Sequence, residues 1–303
     1  MHYGFDIGGT KISFAVFDQQ FNQIAYQRVA TPSGFTELLD LIEQLVYQHD
    51  QQYGQTGTVG VGAPGCVNGE LWLAANVPAI NQQPFKQQLQ LRLKRKLVVT
   101  NDAHCFGIAE AVAVDADKSK TVFATVLGTG VGGSLIVNGQ LVEGKHGLTG
   151  EWGHQPLPLL SYPSTVEQLN LPTLHCNCGR VGCIDTYISG SGLRKLVRCF
   201  TEQTISAEAA VDAWRQREPI VSKAVDSYIE CLAASLAMLV NFIDPDVIIL
   251  GGGVSQVAEF YPAVISRWQK YTLIGNTSTT LQASQFGGDS GVRGAAYLGW
   301  TAQ

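Results

Sequence analysis

No segment of this chain fits G-x-x-x-x-G-K-S/T, so its glycine-rich stretches are not Walker-type phosphate loops. Charge is scarce as well. Asp, Glu, Lys and Arg make up 15% of the 303 residues, the net charge is -5, and no basic stripe is present, which argues against nucleic acid or an anionic membrane as a partner. The charged and apolar regions of a secretory leader are missing at the start, where the pattern is already that of a strand; a cytoplasmic location is the expectation. The longest apolar stretch, Ile229 to Ile243, is too short to span a bilayer and stops at Asp244-Pro245. A disulfide framework is also unsupported. The cysteines number seven, an odd count, and three of them fall between Cys176 and Cys183; Cys66, Cys105, Cys199 and Cys231 read as buried thiols. What is abundant is apolar residue, 45% of the chain, enough for two cored domains.

The most informative stretch comes first. Tyr3-Gly4-Phe5-Asp6-Ile7-Gly8-Gly9-Thr10-Lys11, followed by the alternating run Ile12 to Phe17, reads as strand, tight turn and strand. The glycines either take positive φ or let a ligand approach the backbone. Bare amides with Thr10, Lys11 and Asp6 suit a polyphosphate and its Mg2+; an ordinary Gly-Gly hairpin is the alternative. The plan repeats about 120 residues later in Thr121 to Leu127, Gly128-Thr129-Gly130-Val131-Gly132-Gly133 and Ser134 to Val137, with a further turn at Asn138-Gly139. Gly128, Gly130 and Gly133 satisfy G-x-G-x-x-G. A strand pattern follows instead of a helix, which excludes a dinucleotide fingerprint.

Between the hairpins, Phe35, Leu38, Leu41, Ile42, Leu45 and Val46 recur at helical spacing after a cap near Ser33. Thr58 to Gly62 is a buried strand, and residues 66 to 86 are irregular, as suits a substrate loop. The strand Leu97 to Thr100 stops at Asn101-Asp102 and a helix runs from Ala103 to Val114. Asp102 therefore lies at a strand's carboxyl end and a helix's amino end, where open α/β sheets place ligands. The polar run Asp115 to Lys120 is the expected interdomain link. Further on, Cys176-x-Cys178-x4-Cys183 with His154 upstream offers four ligands for tetrahedral Zn2+; unbound core cysteines are the alternative. Helices fill 191 to 243, and the strand Val247 to Leu250 opens into Gly251-Gly252-Gly253, which suits either a flat adenine or ribose or a close strand-helix junction. A last helix, Val292 to Trp300, is expected to return to the first domain.

Taken together, Asp6 to Lys11, Leu127 to Gly133, Glu151-x-Gly153-His154, Cys176-x-Cys178-Gly179-x-x-Gly182-Cys183 and Gly251-Gly252-Gly253-Val254-Ser255 resemble the ROK family of sugar kinases and repressors over essentially the whole chain. The resemblance implies an α/β protein of the two-domain actin/hexokinase-like (RNase H-like) fold with an interdomain cleft. The first domain is expected over 1–117 plus the C-terminal helix 291–303, and the second, with the zinc site, over 118–290.

The same resemblance implies an ATP-dependent sugar kinase. The loop Gly69 to Ala79 and Asn101-Asp102-Ala103 point, within the family, to phosphorylation of N-acetyl-D-glucosamine at O6, with N-acetylmannosamine or glucose as the alternative acceptor. A ROK-type regulator is a further alternative, disfavoured because only five residues precede Asp6, and an actin- or chaperone-like ATPase without a sugar acceptor is another, disfavoured by the sugar-side residues. Carried over, the pattern makes Asp102 the catalytic base and gives Gly65, Asn76, Asn101, Asp102, Glu151, His154 and Asp185 to the sugar. It gives Gly4, Asp6, Gly8, Gly9, Thr10, Lys11, Gly128, Thr129, Gly130, Val131, Gly132, Gly133 and Gly253 to ATP with Mg2+, and His154, Cys176, Cys178 and Cys183 to structural zinc. Asp185 stands where the family usually has Glu, so its reach to the sugar is shortened; His104, where relatives often carry Asn, is expected to be without consequence. A homodimer is implied by the relatives.

Overall fold

The computed structural model describes residues 1–115 and 117–302, so the expected link at Asp115 to Lys120 lies partly outside the described residues at Ala116. In chain order the elements are β1 (His2–Ile7), β2 (Lys11–Phe17), β3 (Gln23–Ala30), α1 (Phe35–Tyr53), β4 (Thr58–Ala63), β5 (Cys66–Asn68), β6 (Leu71–Leu73), α2 (Phe85–Leu93), β7 (Leu97–Asn101) and α3 (Asp102–Val114). They continue with β8 (Thr121–Leu127), β9 (Val131–Val137), β10 (Gln140–Leu141), α4 (Pro163–Leu169), α5 (Asp185–Ile188), α6 (Gly190–Thr201), α7 (Ala207–Arg215) and α8 (Pro219–Ile243). The last four are β11 (Val247–Gly251), α9 (Phe260–Trp268), β12 (Thr280–Ala283) and α10 (Ser290–Thr301).

Two five-stranded sheets carry the fold, ordered β3-β2-β1-β4-β7 and β10-β9-β8-β11-β12. In chain rank both read 3-2-1-4-5. The parallel partners β4 and β11 sit at corresponding places in the two sheets. The repeated glycine hairpin is thus the visible part of a repeated architecture.

The chain divides into two compact units. Unit 1 is Met1–Lys118, Ser134–Thr149 and Phe286–Gln303, and unit 2 is Ser119–Gly133 and Gly150–Gln285. The segment Ser134–Thr149, expected in the second domain, groups with unit 1.

In unit 1, β1 sorts its residues by face, because side chains alternate along a strand. Tyr3, Phe5 and Ile7 are fully buried with Phe14 and with Leu38, Ile42 and Val46 of α1. On the other face the middle of the strand, between His2 and Asp6, is kept bare. A Cβ on Gly4 would lie 2.0 Å from the Val292 carbonyl oxygen, and one on Gly60 would lie 1.8 Å from that of Ala295, so α10 rests directly on the backbone of β1 and β4. Gly4 is accounted for by this packing. Helix α1 has its N-cap at Gly34, next to Ser33 and without a side-chain cap bond, and its C-cap at Gly54 with φ 65°. The stretch 66–86 is less irregular than its composition suggests: β5 and β6 pair, and Trp72 donates to the Pro64 carbonyl.

In unit 2, α8 is longer than the apolar stretch that marks it. With 25 residues it would be long and apolar enough to cross a membrane, but 72% of its apolar window is buried inside the protein. Glu218 caps its first turn through the Val221 amide at 2.6 Å. Cys105 and Cys231 are buried as expected, whereas Cys66 is half-buried and Cys199 exposed, and no disulfide forms among the described residues.

Candidate active site

The first hairpin turns between β1 and β2, which pair from His2 with Phe17 to Ile7 with Ile12. The Gly8 amide donates to the Lys11 carbonyl at 2.9 Å, and the Thr31 hydroxyl and amide donate to the carbonyls of Gly8 and Thr10 at 2.7 and 3.1 Å. Neither Gly8 nor Gly9 has positive φ. Gly9 is required for another reason. A Cβ there would lie 2.5 Å from the Asn76 carbonyl oxygen, so the loop after β6 crosses directly over the turn. Gly9, Thr10 and Lys11 are exposed.

Asp102 is the first residue of α3, one place inside the cap. Asn101 is the N-cap: its side-chain oxygen accepts from the Ala103 amide at 2.8 Å, while its amide group donates to the Gly65 carbonyl at 2.9 Å. Gly65 has φ 113° and no room for a side chain, since a Cβ would lie 2.0 Å from the Leu73 carbonyl oxygen. These contacts leave the Asp102 carboxyl held by the Ala103 amide at 2.9 Å. Burial is the largest influence on it and raises its pKa, against the hydrogen bond and His104, which lower it. Asp6 is raised to about 6 by burial and by the neighbouring Asp102 charge, with Arg28 and Lys11 acting the other way. Two carboxyls of unit 1 therefore stand close enough to disfavour joint ionisation.

In unit 2 the second hairpin is held from beneath. The Gly128 amide donates to the Gly130 carbonyl at 3.0 Å, the Gly190 amide to the Gly128 carbonyl at 2.8 Å, and the Thr125 hydroxyl to the Gly132 carbonyl at 2.7 Å. Asp185 accepts from the Val131 amide at 2.8 Å, so one of its carboxylate oxygens is committed to the hairpin. Gly133 packs against Phe123 and Trp152. The six hairpin glycines from Gly8 to Gly133 are all free of positive φ, so their conformational latitude is not what the fold uses.

Gly128 and Thr129 line a cavity of about 540 Å³ with Gly190, Leu193 and Arg194 of α6, Glu208, Val211 and Arg215 of α7, and Gly253, Val254 and Phe260. A Cβ on Gly253 would meet nothing within 4 Å, and one on Gly128 only the Val126 side chain at 3.9 Å. The backbone there faces open space. Gly252, by contrast, has φ 80° and crosses the Leu127 carbonyl. Sequence reasoning found Gly253 but missed the α6 and α7 residues, which carry no motif.

Glu151 is exposed, and the turn after it places Gly153 over the Val131 carbonyl, 2.5 Å from where a Cβ would stand. His154 ends that turn. Its Nδ1 lies 3.6 Å from Cys176 Sγ, Cys178 Sγ lies 3.6 Å from Cys183 Sγ, and the ligand atoms of all four residues lie within 4.8 Å of one another. Zn–S and Zn–N bonds of about 2.3 and 2.0 Å at tetrahedral angles would put S···S near ~3.8 Å and N···S near ~3.5 Å, so the cluster fits zinc. Gly179 and Gly182, at φ 87° and 78°, make the turns that bring the cysteines together, and the Arg180 guanidinium donates to the His154 carbonyl at 3.0 Å.

A sequence profile described as the ROK family matches residues 2–301. The chain belongs to the ROK family. An N-acetyl-D-glucosamine kinase of Salmonella newport is 36% identical over 302 residues, which cover 98% of this chain and 99% of that protein. Among solved structures, a ROK hexokinase from Thermus thermophilus superposes with a TM-score of 0.85 at 25% identity, covering 99% of this chain and 98% of that one. A ROK family glucokinase from Streptomyces griseus, in complex with glucose and AMPPNP, gives 0.74 at 27% identity with 98% of each chain covered. This ROK protein thus has the two-domain actin/hexokinase-like fold, and its two five-stranded sheets of matching order are the repeated halves of that fold.

Proposed function

We propose that this ROK protein is an N-acetyl-D-glucosamine kinase that transfers the γ-phosphoryl group of ATP to O6 of the sugar. The observation that carries the proposal is the 36% identity, over nearly the full length of both chains, to a protein of that name, combined with a carboxylate at residue 102 whose surroundings make it more basic than an ordinary Asp.

In phosphoryl transfer the protein chiefly positions the reactants and neutralises charge. Asp102 accepts the O6 proton as the hydroxyl attacks, and its raised pKa strengthens it as a base once ionised. Asn101, tied to Gly65, orients the hydroxyls beside it, and Gly65, Asn76, Glu151 and His154 complete the sugar contacts. The amides of Gly8 to Lys11 and of Gly128 to Gly133 receive the phosphates. Asp6 holds the Mg2+ that accompanies ATP, with Gly4 serving only to seat α10. The cavity bordered by Gly253 takes the adenosine, its apolar residues Leu193, Val211 and Phe260 against the base. The Val131 amide holds one oxygen of Asp185, which leaves the other for a sugar hydroxyl. His154, Cys176, Cys178 and Cys183 would hold zinc as four protein ligands, a structural role that would keep His154 oriented.

A coupled ADP-release assay across hexoses and N-acetylhexosamines tests this. N-acetyl-D-glucosamine should give the highest kcat/KM; a higher value for glucose or N-acetylmannosamine would reassign the acceptor, and release of ADP without any sugar dependence would overturn the kinase.

A further inference from the structure

His104 occupies the first turn of α3, two residues beyond Asp102, and is 1% exposed. Both ring nitrogens are engaged. Nε2 lies 2.7 Å from the Thr149 carbonyl oxygen and Nδ1 lies 3.1 Å from the Thr100 hydroxyl. A carbonyl only accepts, so Nε2 carries the hydrogen in that bond and the hydroxyl donates to Nδ1 when the ring is neutral. The imidazole thus joins the end of β7, the start of α3 and the last residue of Ser134–Thr149, all within unit 1.

Thr149 is the point at which the chain leaves that unit. The next residue is Gly150, at φ 92°, and Glu151 follows. After the Val142 amide bonds the Leu135 carbonyl at 2.9 Å, the segment before it is held by long backbone bonds: the Val67 amide donates to the His146 carbonyl at 3.3 Å and the Thr149 amide to the Glu143 carbonyl at 3.4 Å. Against that background a buried 2.7 Å bond from a ring fixed at its other nitrogen is a strong restraint on Thr149.

We propose that His104 is a positioning residue for the sugar, acting through the Thr149 carbonyl to fix where the chain departs towards Glu151. This rests on the kinase assignment above for the role of Glu151. Asp102 keeps its own supports, the Asn101 cap and the Ala103 amide, when His104 is altered. The phosphate hairpins make no contact with the ring through these bonds. Loss of the restraint therefore weakens sugar binding selectively.

The test is steady-state kinetics on the full chain with N-acetyl-D-glucosamine and MgATP. His104→Phe retains a flat ring of similar volume without either nitrogen, and should raise the sugar KM about 10-fold, with the MgATP KM changed by less than about 2-fold. His104→Gln places an amide nitrogen near the Nε2 position and should bring the sugar KM back to within about 3-fold of the starting protein. Thr100→Val removes only the partner of Nδ1 and should raise the sugar KM about 3-fold; this milder variant serves if His104→Phe does not fold. Unchanged sugar KM in Thr100→Val and His104→Phe, or parallel rises for both substrates without rescue by Gln, overturns the proposal. If the unaltered protein phosphorylates no sugar at all, it is the kinase assignment that fails. Hydrogen exchange then decides the anchor itself: the Gly150 and Glu151 amides should exchange faster in Thr100→Val and His104→Phe, and equal rates overturn it.

Discussion

At the scale of single residues, the proposed mechanism rests on Asp102 and Asp6. Asp102→Asn keeps the shape of the side chain and an oxygen able to accept from the Ala103 amide, so the start of α3 is preserved. Turnover should fall by at least ~10²-fold while the KM values for both substrates stay within a few-fold, as steady-state rates would show. The pH profile has a sign that follows from burial. Both carboxyls must be ionised to act, and both have raised pKa values, so protonation begins at higher pH than for exposed carboxylates. The acid limb of kcat/KM for MgATP should therefore lie near pH 6, the value of Asp6, with activity present above it and falling about tenfold per unit below it. Mg2+ bound to the Asp6 carboxylate would lower that limb, so raising the Mg2+ concentration should move it towards acid. A limb near pH 4 that is insensitive to Mg2+ would remove Asp6 from metal binding.

At the scale of elements, the second hairpin depends on what stands behind it. Asp185 fixes the Val131 amide, and Gly130 leaves room for that carboxylate, 2.8 Å from where its Cβ would be. Asp185→Asn retains an acceptor oxygen, whereas Asp185→Ala leaves the amide without this partner. The Ala variant should raise the KM for MgATP about 5- to 10-fold, from the loss of one charge-assisted bond, and the Asn variant by distinctly less. An unchanged sugar KM in the Ala variant would remove Asp185 from the sugar contacts, and an unchanged MgATP KM would remove it from the support of the hairpin. The bare faces of β1 and β4 obey the same logic of close approach: Gly4 and Gly60 are small because α10 lies on them. Helix α3 gathers further supports of unit 1. The Glu110 carboxylate accepts from the Phe286 amide at 3.0 Å and from the Ser290 hydroxyl at 2.6 Å, and Gly107 packs directly on Ser134.

At the scale of the whole molecule, the proposed zinc would tie together pieces of unit 2 that have little regular structure of their own. From Gln155 to Ile184 the regular elements are α4, a short 3-10 turn and isolated bridges, including His175 with Val181. The purified protein should contain one zinc per chain by elemental analysis. Its removal by a chelator should lower Tm and raise the sugar KM, both restored by added Zn2+. Cys183→Ser should reproduce the apo behaviour. A folded, active protein without zinc would remove the metal from the architecture.

The sequence alone determined the features written locally: the two glycine hairpins, the strand that ends at Asn101 with Asp102 opening the helix, and the C-x-C-x4-C ligand pattern. In each, the side chains and the backbone geometry they require are neighbours in the chain, so short-range periodicity and turn chemistry suffice. Tertiary structure decided why those residues are needed. Gly9 is glycine because Asn76 crosses it, Gly4 because α10 does, and neither fact is visible from its own neighbours. The same holds for β3 and β12, for the α6 and α7 residues around the Gly253 cavity, and for Ser134–Thr149, which belongs with unit 1. His104 is the clearest instance. In the sequence it is a substitution two residues from Asp102 that is expected to be without consequence, and only folding brings a carbonyl 45 positions away to 2.7 Å from its ring. Contacts at such separations depend on how elements pack, and packing is a property of the folded chain.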